Sequence, residues 1–526
     1  MGGSYDTIVI GAGHNGLVTA AYLARAGHKV LVLEQREVVG GAAATEEVLP
    51  GFRVDTGAHR IGGLSSVMVH DLSLVRHGLE LLDVEATAFV PVLEGMPLTL
   101  WRDPKKTADS IREISTADAE AWLPFTELIG KAAGFLEATW TSTPPDVTGN
   151  DLGDLIASAK LGMKLRRLGK KDMVEVMRIL PMSVYELLDD WFESDLVKGA
   201  LAASAVNGTC QGPMAAGTVY TLLHHHVGAG AGIIRPTRRV QGGIGRLSEA
   251  LVASCEQFAA EVRTGATVGR ILVEDGTAVG VVVGSAEIRA KRIVASTDPR
   301  RTFFELLEPS EMTPEFARKV SNIRYRGVCA KVHLALSALP NFTCQPGAGD
   351  HLKGVISISP SLEYVERAFD TAKYGRVSER PYLEVSIPSL SDASVAPDGK
   401  HLMSIVFQYA PYTLCDGGEW NEAARTKLGD LAIATLAEYA PNMESLVEAR
   451  HVLTPLDLER TFGLSEGNIY HGEMTLDQLL FMRPVPSASR YRAPIAALYL
   501  CGAGTHPGGG VTGVPGFNAA REILKG

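Results

Sequence analysis

The sequence predicts an α/β protein that opens on a Rossmann-type dinucleotide-binding unit, and three observations carry that prediction. An apolar run, Tyr5–Ile10, leads directly into GAGHNG at 11–16. A second glycine-rich stretch lies at the other end of the chain, at 498–520, between an apolar run and a helical pattern. At 526 residues the chain is longer than one ordinary core serves, so two or three domains are expected.

The N-terminal unit can be justified part by part. YDTIVI is a β-branched run suited to a buried parallel strand. After Gly11, Gly13 and Gly16 comes LVTAAYLARAG, apolar at helical spacing and closed by Gly27. HKVLVLE predicts a second strand ending at Glu34, 18 residues past Gly16 (34 − 16). Gly11 permits the tight turn, Gly13 lets a pyrophosphate approach the backbone, and Gly16 lets helix and strand pack closely. The helix N-terminus, with Asn15 in its first turn, turns its partial positive charge to the phosphates, and Glu34 accepts from a ribose hydroxyl. Arg36 and the pair Gly40 and Gly41 follow at once, and FRVDTGAH at 52–59 predicts a further strand ending near His59.

At the far end, 497–501 reads as a strand, followed by seven glycines within 502–516 and a helix starting near Pro515. A loop with so few side chains fills no core; its use is to bring backbone N–H groups close to a ligand. Between the two ends, 263–283 alternates like a β-meander, and KRIVASTDPR at 291–300 reads as a strand leading into a turn.

The bulk numbers narrow the class. A net charge of −10 excludes non-specific nucleic-acid binding, which needs a basic surface. No run approaches the length of a membrane span, and no basic region precedes an apolar stretch at the N-terminus, so a cytoplasmic protein is expected. The six cysteines are scattered without a C-x-x-C pair and read as reduced thiols.

With these motifs the chain resembles, over nearly its whole length, the phytoene-desaturase-like flavoproteins of the flavin amine oxidase superfamily. The pieces that carry the resemblance are GAGHNGL at 11–17, VDTGAH at 54–59, YTLLHHHVG at 220–228, QGGIGRLSEAL at 241–251, GNIYHGEMTLDQLLFMRPVP at 467–486 and GAGTHPGGGVTGVPG at 502–516. Within the superfamily it is similar to the phytoene dehydrogenase-related subgroup, also called pyridine nucleotide-disulphide oxidoreductase domain-containing protein 2. That name implies a disulfide relay, which a chain without C-x-x-C does not support.

The resemblance implies FAD as cofactor and a domain layout. A Rossmann-type FAD-binding domain would be assembled from three discontinuous segments, 1–70, 232–304 and 481–526, with a mixed α+β substrate or cap domain from 71–231 and 305–480. It adds Gly40 and Gly41 to the flavin site and a backbone contact from Val262 on the adenine side. At the far end it adds Gly502, Gly504, Thr512, Gly513 and Val514. The helix N-terminus there would stabilise negative charge on a reduced flavin by roughly 0.3–2 kcal/mol.

The flavin performs the redox step, so the side chains sought are those that position and tune it. Lys331 lies just ahead of the alternating run HLALSAL, and the resemblance implies that it holds a water against flavin N5; a strand-end lysine in solvent is the alternative. His506 in the glycine-rich loop and His59 after VDTGAH are placed to approach the flavin ring. His471 and Glu473 are candidates for substrate entry or proton donation. The triplet His224, His225, His226 lacks partners at ligand spacing, so no metal site is expected. Arg235, Arg238 and Arg239 read as solvated charge, or else as an anchor for a substrate carboxylate or phosphate.

On the substrate side, 153–180 is helical and basic, with Lys160, Lys164, Arg166, Arg167, Lys170, Lys171 and Arg178 among Leu, Ile and Met. It reads as a solvated face of the cap domain or as a peripheral membrane contact through which an apolar substrate enters. The leading expectation is an FAD-dependent oxidoreductase that desaturates or isomerises a hydrophobic polyene or lipid-like substrate, with a quinone or O2 as acceptor. An amine oxidase is the second reading, and a non-enzymatic prenyl-binding protein of the GDP-dissociation-inhibitor type the third. A homodimer is expected by its frequency among soluble oligomers.

Overall fold

The computed structural model describes residues 5–145, 152–230, 232–235 and 238–525. The extreme ends of the first and last predicted segments, residues 1–4 and 526, lie outside the described residues, as do the side chains of 153 and 157 in the basic tract.

Five parallel strands form the nucleotide-binding sheet. Glu261–Arg263 lies at one edge, then Val30–Leu33, Tyr5–Ile10 and Ala286–Ala295, with Leu498–Leu500 at the other edge. The strands thus come from three stretches far apart in the chain, and the central ones are buried on both faces. Helices His14–Arg25, Gly245–Gln257 and Val514–Leu524 pack against it. The strand Ala286–Ala295 serves two sheets. Its first half closes an antiparallel meander with Val268–Glu274 and Thr277–Val283, and its second half enters the parallel sheet. The meander predicted at 263–283 is therefore continued by the strand predicted at 291–300.

The second sheet has seven strands. In order across it run Val447–Leu453, Cys329–Leu336, His401–Gln408, Tyr382–Ser386, Val355–Ile358, Ala86–Val90 and Leu98–Trp101. All neighbours are antiparallel except Val355–Ile358 with Ala86–Val90. Its register places Leu453, Lys331, Val406, Glu384 and Ser357 in one row across five strands, on one face. Helix Thr218–His226 packs against both Thr116–Trp140 and Asp195–Val206, and the three share a core with the nucleotide-binding half.

Two expectations change here. The basic tract is two helices, Leu152–Arg166 and Lys170–Ile179, because Gly169 turns to φ +87° between them, a conformation a helix interior does not use. Lys331 stands inside its strand rather than ahead of it. That strand is buried along all eight residues, Cys329–Leu336, which is why its N-terminal half shows no alternation in the sequence.

Candidate active site

One cavity of about 320 Å3 runs between the two sheets, and both the glycine-rich loops and, from the row across the second sheet, Lys331 and Val406 border it.

At the nucleotide end the inward-facing groups are mainly backbone. Gly11 sits at φ +93° and donates to the Leu33 carbonyl at 2.8 Å, which makes the turn out of the first strand. Helix His14–Arg25 starts at Gly13 with no side-chain cap, so its first N–H groups remain for a ligand. Glu34 is buried; its Oε2 accepts from the Ala12 N–H at 2.8 Å and its Oε1 from the Arg36 N–H at 3.0 Å. The carboxylate thus shapes the loop and still has lone pairs toward the cavity. The Arg36 guanidinium is held by Glu46 at 2.7 Å and lies over the Phe462 ring. Buried polar atoms without protein partners gather here as well: His14 Nε2, Asn15 Oδ1 and His471 Nδ1. Uncapped amides, glycine approaches and orphaned polar atoms together fit a bound dinucleotide.

Of the residues anticipated for the cofactor, Gly11, Gly13, Asn15, Glu34, Arg36, Gly40, Gly41 and Thr512 border the cavity. Gly16, Val262, Gly502, Gly504, Gly513 and Val514 do not, and each has another task. A Cβ on Gly16 would stand 2.2 Å from the Gly11 carbonyl oxygen, so Gly16 seats the helix on the loop. Val262 pairs with Val32 in the edge strand of the sheet, and the apolar wall beside Glu34 is made instead by Leu33, Ala266 and Val268. Gly502 and Gly504 close on the Ser296–Pro299 turn, where a Cβ would come 2.5 Å from Ser296 O and from Pro299 Cδ. Gly513 takes φ +72° at the cap of the last helix, packed against Val18 and Met68, and the Val514 N–H is taken by Thr512 Oγ1 at 3.2 Å. The parts of the far loop that reach the cavity are Ala503 and 509–512.

At the other end the wall is made of charged side chains. Lys331 is 4% exposed, not in solvent, and its Nζ lies 3.1 Å from His59 Nδ1. His59 Nε2 lies 3.3 Å from Glu384 Oε1, and Arg60 Nη1 lies 3.3 Å from the same oxygen. The other carboxylate oxygen, Oε2, accepts from Arg235 Nη2 at 2.9 Å and from Asn207 Nδ2 at 2.8 Å. Burial works against a charged Glu384, yet Arg60, His59 and Arg235 overcome it and hold its carboxyl well below the usual range. Burial pushes the Lys331 ammonium down to about 8, with Asp55 and Glu384 opposing, and pushes His59 down to about 3 with the help of Lys331. Neutral His59 facing an ionised Glu384 carries its proton on Nε2, which leaves Nδ1 to accept from the Lys331 amine.

Several expectations are corrected by this wall. Arg235 is 3% exposed and tied to Glu384, Tyr382 and Ser357, and Arg239 is buried against the Lys353 carbonyl; of the three arginines only Arg238 is exposed, on Asp83. His506 does not reach the cavity, because its Nε2 is turned to the Thr139 carbonyl at 3.1 Å and burial pushes it down to about 4. The triplet 224–226 borders the cavity, each ring engaged separately: His224 with Gly509 O, His225 with Ser204 O and Tyr470 OH, His226 with Leu222 O and the Arg235 N–H. Among the described residues no group of His, Cys, Asp or Glu is placed to hold a metal ion. His471 borders the cavity, whereas Glu473 stands behind it, where burial pushes its carboxyl up to about 8. Glu384, Arg60 and Asn207 were not singled out from the sequence. Glu384 lies in the apolar stretch YLEVS, and a charge there was the available signal.

Comparisons with known proteins agree with the cavity's chemistry. The sequence profile of the family described as flavin containing amine oxidoreductase matches residues 16–524. Pyridine nucleotide-disulfide oxidoreductase domain-containing protein 2 of Rattus norvegicus is 37% identical, over 99% of this chain and 93% of its own length. A limonene dehydrogenase subunit of Castellaniella defragrans is 32% identical, over 99% and 94%. A putrescine oxidase structure with putrescine bound superposes with a TM-score of 0.61 at 15% identity, covering 99% of both chains, which speaks for the fold alone.

Proposed function

We propose, from the premise that this chain belongs to the flavin-containing amine oxidoreductase family and is an FAD-dependent oxidoreductase, that it dehydrogenates a hydrophobic, lipid-like substrate rather than an amine. Desaturation of a polyene or fatty-acyl chain, with a quinone or O2 as final acceptor, is the chemistry meant. The observation that carries the reading is the charge of the wall opposite the glycine-rich loops. Arg60 and Arg235 flank Glu384, whose Oε2 is taken by Arg235 and Asn207 and whose Oε1 lies 3.3 Å from both His59 and Arg60, and Lys331 adds a third cation. An ammonium substrate would meet a surplus of positive charge there. The relative named as part of a limonene dehydrogenase adds support for a non-amine substrate.

FAD, when bound, supplies the two-electron acceptor. The loops at 11–16, 40–43 and 509–512 would hold it, through backbone N–H groups and Glu34. The chain's own task is to take the proton that leaves beside the carbon giving up hydride, so that a carbon–carbon double bond results. Lys331 is the group suited to this. With its pKa lowered to about 8 it is partly a free amine near neutrality, and its bond to His59 Nδ1 leaves the amine lone pair for the cavity. His59 orients Lys331, and Glu384 orients His59.

The two basic helices support a membrane-facing entry. Leu155, Ile156 and Met163 on the first, and Val174 and Met177 on the second, are exposed beside Lys160, Lys164, Arg166, Arg167, Lys170 and Lys171. Apolar side chains among cations suit docking on an anionic bilayer. Cosedimentation with vesicles of anionic lipid, absent with neutral vesicles, is the expected result; binding to neither overturns the docking.

Anaerobic titration of the purified flavoprotein tests the catalytic reading. Bleaching of the flavin bands by unsaturated lipids or polyenes, and not by primary or secondary amines, is expected. Bleaching by amines alone would make the protein an amine oxidase.

A further inference from the structure

We propose that Arg60 is the anchor of a substrate-oxygen site, and that the substrate carries a carboxylate or acyl carbonyl which that site receives. The proposal rests on the reading above and narrows its substrate class. Arg60 borders the cavity and keeps 23% of its side chain exposed. Among the described residues its carboxylate partner is Glu384, met through one nitrogen, Nη1 at 3.3 Å. A guanidinium has five N–H donors, so most of its capacity remains for a ligand.

The surroundings show which ligand. Facing Arg60 across Glu384 is Arg235, which is fully buried and bonded to Glu384 Oε2, Tyr382 OH and Ser357 Oγ. Glu384 also takes the Asn207 amide, so its negative charge is shared among several donors and balances one cation. Asp55 stands behind Lys331 and is its leading counter-charge, with Arg239 a lesser partner of the same carboxylate. His59, His225 and His226, which lie near Arg60, are held neutral by burial, at about 3, 3 and 4. This leaves Arg60 as the less compensated cation on the cavity wall, because the one carboxylate it meets is shared with Arg235. A neutral hydrocarbon would leave most of the Arg60 N–H donors desolvated and unmatched, which is costly, whereas an oxygen anion or carbonyl oxygen satisfies them. Where that oxygen is an acyl carbonyl, Arg60 also stabilises the negative charge that collects on it when the neighbouring C–H gives its proton to an amine.

The test is equilibrium binding to the FAD-loaded protein, read by calorimetry, with decanoate, decanol and decane as probes. Decanoate is expected to bind about tenfold or more tightly than decanol, as charge-assisted hydrogen bonds warrant. Arg60→Met is expected to abolish that preference while leaving decanol binding and FAD content unchanged. Should Arg60→Met not fold, Arg60→Gln is read in its place, with the same loss of the preference for decanoate expected. Equal affinity for decanoate and decanol, or a preference that survives in Arg60→Met, overturns the proposal. Bleaching of the flavin by polyenes with no carboxylate preference would remove this inference and leave the dehydrogenase reading standing. Bleaching by amines alone would remove the dehydrogenase reading itself.

Discussion

The two ends of the cavity are built from different materials. At the nucleotide end, segments contiguous in sequence turn backbone amides and glycines inward, and side chains serve mostly to shape the loops. At the opposite end the inward groups are the side chains of Arg60, Arg235, Lys331 and neutral His59, with Glu384 behind them, brought together by the register of a sheet and by one turn. The first end needs space and N–H groups; the second needs the right charge at each position. Substitutions should therefore fail differently at the two ends.

The largest effect is expected at Gly16→Val. Its Cβ would collide with the Gly11 carbonyl oxygen and press on Ser296, forcing helix and loop apart at a cost of roughly 1–3 kcal/mol or more. FAD content per chain, read from the absorption spectrum, should collapse and turnover with it. Lys331→Met should do the opposite, retaining FAD while turnover falls by about 10²–10⁴-fold, the usual range for loss of a general base.

Glu384→Gln sharpens the contrast. Removing the carboxylate leaves Arg235 buried without its counter-charge, so stability should fall by roughly 3–5 kcal/mol, read by denaturant unfolding. It also removes a negative charge that favours protonated Lys331, so the midpoint of the pH–rate profile should move below about 8.

Glu473 offers a smaller, pH-linked effect. Burial raises its carboxyl from 4.5 to about 8 in the folded state. Below 4.5 both folded and unfolded forms are protonated and no cost arises. Between 4.5 and about 8 the unfolded chain alone ionises, so stability falls as pH rises. Glu473→Gln should flatten that part of the melting-temperature profile. The smallest effect is expected at His506→Gln: loss of one bond to Thr139 costs about 1 kcal/mol, with turnover within about twofold of wild type.

The same contrast explains what the sequence revealed. Gly11, Gly13 and Glu34 lie within 24 residues and carry a spacing whose physics is local, so the strand, turn, helix and acidic partner were all legible. The far loop was legible as a loop, but which of its glycines face the cavity was not. Gly502, Gly504 and Gly513 meet Ser296, Pro299 and Val18, neighbours that only the assembled sheet supplies. Lys331 and His59 were visible singly, 272 positions apart. Their contact, and the role of Glu384 beneath them, depend on a register that no local pattern encodes. His506 misled because a histidine among glycines looked unpacked, whereas the helix Thr116–Trp140 covers it.

The separation of cofactor holding from chemistry is tested most directly by the pH dependence of anaerobic flavin reduction in wild type and Lys331→Met, each loaded with FAD to the same extent. The probe would be whichever lipid in the titration bleaches the flavin. The wild-type rate should rise as pH passes through about 8, where Lys331 becomes a free amine, and the variant should be slow with no such rise. A Lys331→Met protein that reduces its flavin at the wild-type rate, with the same pH profile, would contradict Lys331 as the proton acceptor and the charged wall as the seat of the chemistry.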